Sequence, residues 1–140
     1  KRMKIKLYFF FVLIFFNIVL NFKTFASENF LSNYSWKNRV LISVVSNFDD
    51  NFSKQVKKFL MNNTCNLTER NLVFFEYKFK SNEYQKLPIK FKSGKGLYLI
   101  GYDGNLKKFS KSIEFLDVLF ELIDEMPIRQ LEMQGKENNC

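Results

Sequence analysis

The sequence predicts an α/β fold on a four-stranded mixed sheet in the order 2-1-3-4, with strand 3 antiparallel, and three observations carry that prediction. Leu97 to Gln134 reads without a gap as strand, tight turn, strand, helix and stop. Val40-Leu41-Ile42-Ser43-Val44-Val45 is almost continuously apolar, as a central parallel strand covered on both faces must be. Leu72 to Phe79 is a second strand whose latter half alternates Phe75, Tyr77 and Phe79 with Glu76, Lys78 and Lys80, the pattern of a strand nearer the sheet edge.

The elements follow in order. Leu31 to Lys37 is a lead-in carrying Tyr34 and Trp36. Ser46 to Asp50 turns out of the first strand into a helix with Phe52, Val56, Phe59 and Leu60 on one face, and Asn62-Asn63 ends that helix. Lys80 to Gly96, with Lys86, Lys90, Lys92 and Lys95 separated by Pro88 and two glycines, reads as a loop. Leu97 to Ile100 is buried strand, Asp103-Gly104 is a two-residue hairpin signal, and Asn105 to Phe109 returns. The last helix spans Ile113 to Met126, with Ser112 as N-cap, Glu114 in the first turn and Leu116, Leu119, Phe120 and Ile123 inward, and Pro127 stops it. Strand-helix-strand followed by ββα is the pattern of a thioredoxin-like three-layer sandwich.

Ahead of this domain stand Lys4 and Lys6, then the apolar run Leu7 to Phe16 and Ile18-Val19-Leu20, before any acid. The run fits the core of a secretory signal and falls short of the ~20 residues of a spanning helix. Small residues at Thr24 and Ala26 place cleavage after Ala26, the alternative being an uncleaved membrane anchor. Lys1-Arg2 ahead of Met3 reads as a start-site artefact. The expected organisation is therefore residues 1–26 as signal peptide, 27–134 as one domain and 135–140 as a disordered tail. The expected location is secreted or periplasmic.

Residues 1–26 hold five of the 22 basic residues and no acid, leaving 17 basic against 14 acidic residues and a net charge of +3, so the formal +8 overstates basicity. No nucleic-acid partner is called for. Partners are expected to be a protein or an envelope component, with membrane contact only if the N-terminal segment stays uncleaved.

In a thioredoxin-like fold a reactive thiolate sits where the first strand gives way to the first helix, since the helix N-terminus lowers a thiol pKa there. Here that stretch is Ser46-Asn47-Phe48-Asp49-Asp50-Asn51-Phe52, with no sulfur. The two cysteines, Cys65 and Cys140, lie far apart. An intramolecular bridge requires the tail to fold back, and a free or intermolecular terminal thiol is the alternative. The chain has no histidine, no phosphate-binding glycine loop and no nucleophile elbow. Asp49-Asp50 with Asp103 matches no calcium-loop spacing. No catalytic residue, metal or cofactor is assigned.

The topology gathers another set. With order 2-1-3-4, Arg39 and Arg70 enter their strands at the pole where Gly101-Tyr102-Asp103-Gly104 leaves strand 3 and the last helix ends. Arg39, Glu69, Arg70, Asp103, Asp124, Arg129 and Glu132 should meet there, either as an arginine-carboxylate lock tying the C-terminal segment to the sheet or as a ligand site.

Those residues also carry a resemblance. Trp36-Lys37-Asn38-Arg39-Val40-Leu41, Gln55, Glu69-Arg70-Asn71-Leu72-Val73, Leu99-Ile100-Gly101-Tyr102-Asp103-Gly104 and the run from Ile123 through Met126-Pro127-Ile128-Arg129 to Met133 look like the signature blocks of the DUDES domains. That family, of unknown function and described as thioredoxin- or peroxiredoxin-like, occurs alone in secreted bacterial proteins and within extracellular animal proteins such as the sushi-repeat proteins and equarin. The chain departs from the pattern at Asn71, where the family has Asp, and at Tyr102, where it has a basic residue. The resemblance implies an extracytoplasmic thioredoxin-like module and adds no catalytic residue.

The function expected on these grounds is a non-catalytic binding or interaction module. Two alternatives stand beside it: an atypical thiol redox protein using Cys65 or Cys140, and a surface polyanion binder using the lysines from Lys78 to Lys95.

Overall fold

The computed structural model describes residues 29–134 and residue 140, so the segment assigned as signal peptide and most of the tail lie outside the described residues. A short helix α1 (Asn29–Ser32) leads into β1 (Arg39–Val45). Then come α2 (Asn51–Asn62), α3 (Thr64–Glu69), β2 (Leu72–Lys78), α4 (Asn82–Gln85), a 3-10 turn (Ile89–Phe91), β3 (Gly96–Ile100) and β4 (Leu106–Ser110). A 3-10 segment (Ile113–Val118), α5 (Leu119–Asp124) and α6 (Pro127–Met133) complete the order.

The sheet order is β2-β1-β3-β4, with β2 parallel to β1 and the remaining pairs antiparallel. Every residue of β1 is buried, because the sheet is covered on both faces. Period-2 alternation divides its side chains. Leu41, Leu97 and Leu99 face a core completed by Val56, Phe115, Leu116, Leu119 and Ile123. Val40, Ile42, Val44, Tyr98 and Ile100 face the other, completed by Leu31, Tyr84, Leu87 and Phe91. Asp50 caps α2, its carboxylate accepting from the Ser53 N–H at 2.8 Å.

Three sequence expectations are corrected. The stretch 80–96 is not a plain loop, since α4 and the following 3-10 turn bury Tyr84, Leu87 and Phe91 as one layer of the sandwich. Their spacing of three and then four residues is hidden among lysines and Pro88. The hairpin is a three-residue loop rather than two. Gly104 N–H donates to Gly101 and Gly101 N–H to Asn105, with Gly104 at φ 70°, a tight turn closed by a left-handed glycine. The helix α2 does end at Asn62, as expected, and a separate short helix, α3, follows Asn63. Finally, Pro127 ends one helix and begins another. Met126 is extended, as a residue before proline prefers, and Pro127 occupies the first helical position, where a missing N–H costs nothing.

Candidate functional site

The starts of β1 and β2, the β3–β4 hairpin, the end of α5 and the whole of α6 converge at one pole. There Arg70 grips Asp124 with the fork of Nε and Nη2, at 2.9 and 2.6 Å to the two carboxylate oxygens, and its Nη1 donates to the Asn66 carbonyl and side-chain oxygens. Arg129 donates from Nε to Asp124 at 3.0 Å and from Nη2 to Glu69 at 2.8 Å, while its Nη1 reaches the Glu69 carbonyl at 3.2 Å. Arg39 donates from Nη1 to the Arg70 carbonyl at 2.8 Å and to Glu132 at 3.2 Å. Arg39 and Arg129 are almost wholly buried, at 1% and 2% exposure.

Aromatic rings cover two of the guanidinium groups. Tyr102 lies 4.1 Å from the centre of Arg39, and Phe120 lies 4.8 Å from that of Arg70. Tyr102 also donates its hydroxyl to Glu132 at 2.7 Å and accepts from the Asn71 amide at 2.9 Å. Asn71 and Tyr102, 31 residues apart in the chain, therefore touch each other. The contact is a neutral amide-phenol pair, and Asn71 suits its left-handed backbone at φ 49°. Sequence reasoning left Asn66 and the hydrogen-bonding part of Asn71 and Tyr102 unassigned.

Three arginines face three carboxylates, and the titration shifts follow from that. Burial acts to raise the Asp124 pKa, but hydrogen bonds and charge from Arg70 and Arg129 bring it below the usual value. Burial likewise opposes the charge on Arg129, and Glu69 and Asp124 more than compensate. The Tyr102 phenol is pushed up, by burial first and then by its bond to Glu132.

Asp103 is at this pole but outside the network, which corrects its inclusion with the arginines. Its carboxylate accepts from the Asn105 N–H and amide and from Lys107 at 2.7 Å. The tight hairpin turns it onto its own return strand. Burial is the largest single influence and raises its pKa, and the Lys107 and Asn105 bonds together outweigh it and bring the pKa down to about 2.

At the opposite pole, Ser46 to Phe52 holds no cysteine. Cys65 and Cys140 are joined to each other as a disulfide, so the alternative of a free or intermolecular terminal thiol is replaced by an intramolecular bridge. Cys65 belongs to α3, beyond the far end of α2, a twelve-residue helix about 18 Å long. Of the lysines between 78 and 95, Lys90 donates to the Gly104 carbonyl, Lys92 to the Gln85 carbonyl and Lys95 to the Ser46 hydroxyl. Among the described residues no group of three or more acids or cysteines is arranged to hold a metal ion, and no helix is long and apolar enough to cross a membrane.

A family model described as Domain of unknown function (DUF4174) matches residues 30–132, from α1 to the Glu132 that bonds Arg39 and Tyr102. The chain belongs to that family. Comparison with curated proteins finds no match. The matched span of the DUF4174 domain takes in all four strands and every arginine and carboxylate of the network.

Proposed function

We propose that this DUF4174 domain is a non-catalytic binding or interaction module that works outside the cytoplasm, in the secreted or periplasmic space, on a protein or envelope component. The observation that carries the reading is the location of the sulfur. The helix start that activates thiols in thioredoxin-like folds has none, and both cysteines are bonded to each other beyond the far end of that helix. The finer kinship with the DUDES domains, extracytoplasmic modules, supports the same reading, as does the basic and apolar N-terminal segment.

Insulin reduction and peroxide consumption test it. The wild-type protein is expected to show no turnover above buffer, and turnover that disappears in Cys65→Ser would establish the redox alternative instead. The polyanion reading has less support, because three of its lysines already bond within the fold. Salt-sensitive retention on heparin, lost when Lys78, Lys80 and Lys86 are changed to Gln, would favour it.

A further inference from the structure

Of the three network arginines, Arg39 differs in one respect. Arg70 uses its Nε–Nη2 fork to hold both oxygens of Asp124, and Arg129 uses the same two nitrogens on Asp124 and Glu69. The corresponding Nε and Nη2 of Arg39 are buried and have no hydrogen-bond partner among the described residues. A buried cation with three of its five N–H donors unpaired is costly, and the fork's geometry matches one planar carboxylate.

Arg39 forms part of the wall of a pocket of about 310 Å³, within the size range of small-molecule sites. Met126, Pro127 and Ile128 supply apolar wall, and Tyr102 is the ring stacked on Arg39. Trp36 stands at the rim, 71% exposed. Its backbone is held at φ 61°, an unfavourable conformation for a bulky side chain, by the bond from its N–H to the Tyr102 carbonyl. An exposed indole maintained against backbone strain beside an unpaired guanidinium edge is a combination that packing alone does not account for.

We propose that this pocket binds a monocarboxylate carried on a flat apolar body, with the carboxylate on the Nε–Nη2 fork of Arg39 and the body between Trp36 and the Met126–Ile128 wall. The two nitrogens lie beneath the pocket surface, so seating the carboxylate requires a wall side chain to turn aside. Met126, unbranched and flexible, is the one suited to it. Glu132 and Asp103 stand near enough to disfavour a dianion such as phosphate. The inference rests on the binding-module reading and names the ligand class of that module.

Trp36 is the only tryptophan in the chain, so its fluorescence reports on this pocket directly. Purified protein titrated with phenylacetate should show a saturable change. Phenylacetamide, which lacks the charge, and acetate, which lacks the body, should bind at least tenfold more weakly. Ile128→Asp, at an exposed wall position, should weaken phenylacetate at least tenfold, as should Arg39→Lys, which keeps the charge and loses the fork. Equal response to phenylacetate and phenylacetamide, or no response to either, overturns the proposal without any substitution being needed. That result leaves the module reading standing, whereas redox turnover would overturn the module reading and leave the titration unaffected.

Discussion

Arg129 commits all three of its guanidinium nitrogens to Glu69 and Asp124 while 2% exposed, and that makes it the most consequential single residue of the C-terminal pole. Replacing it by methionine takes one donor from Asp124, which keeps both bonds from Arg70, and removes the hydrogen-bond donors of the Glu69 carboxylate and carbonyl. The expected cost is about 3–5 kcal/mol, the range for breaking one side of a buried pair, against about 1 kcal/mol or less for a surface pair. Urea midpoints of wild type and Arg129→Met decide between the two. The same pole sets an acid dependence. Asp124 and Asp103 both have folded pKa values below their ordinary 3.8, so their stabilisation is present above that value and is lost as pH falls through the folded pKa, which for Asp103 is about 2. Asp124→Asn should therefore be less stable than wild type at neutral pH, with the gap in urea midpoint narrowing on acidification below pH 4; a gap independent of pH would show that the Asp124 charge is not what stabilises. The chain's residue types announced this network, since arginines and acids at strand and helix ends were readable. Its pairing was not: Asp103 turns to Lys107 because a three-residue hairpin directs it there, and loop geometry of that kind is set by the strands it joins.

At the scale of elements, amphipathic periodicity located α2 and the inward face of the last helical region, and burial there is a matter of packing. Leu119 is fully buried against Val56 and Leu99 in one core, and Phe91 is fully buried in the other. Leu119→Ala should cost about 2–5 kcal/mol and Phe91→Ala about 3–5 kcal/mol. The second figure tests the layer formed by α4 and the 3-10 turn. A Phe91→Ala protein with wild-type stability would mean that the stretch 80–96 does not cover the sheet. The Cys65–Cys140 bridge closes a separation of 75 residues and ties the chain end to α3. Constraining the unfolded chain in this way typically contributes about 2–4 kcal/mol, so Cys65→Ser should lower the urea midpoint, and reductant should lower the wild-type midpoint to match. A midpoint unaffected by reductant would show that the bridge leaves the unfolded ensemble unconstrained.

For the molecule as a whole, the order β2-β1-β3-β4 places two strand starts and one hairpin at a common end, and α6 docks there through Arg129 and Glu132. That closes the C-terminal pole as an internally neutral clasp with Trp36 and the Arg39 pocket on its outer side. The proposed role outside the cytoplasm has its own test in the processing of the N-terminal segment. Intact mass of the exported protein is expected to correspond to a chain beginning near Ser27, and a mass retaining residues 3–26 would establish an anchored form instead.

The sequence by itself determined the sheet order, because a continuous apolar strand, a half-alternating strand and a hairpin leave few ways to cover both faces. It also determined that the usual thiol position is empty, since that is a statement about residue identity alone. Only the tertiary structure decided which carboxylate each arginine holds, that Cys65 and Cys140 meet, and that Tyr84, Leu87 and Phe91 belong to the core. Those are contacts between residues far apart in the chain or, for Tyr84, Leu87 and Phe91, a spacing of three and then four residues interrupted by Pro88. Local propensity and periodicity carry no record of such contacts, which arise only when the sheet brings distant segments within bonding distance.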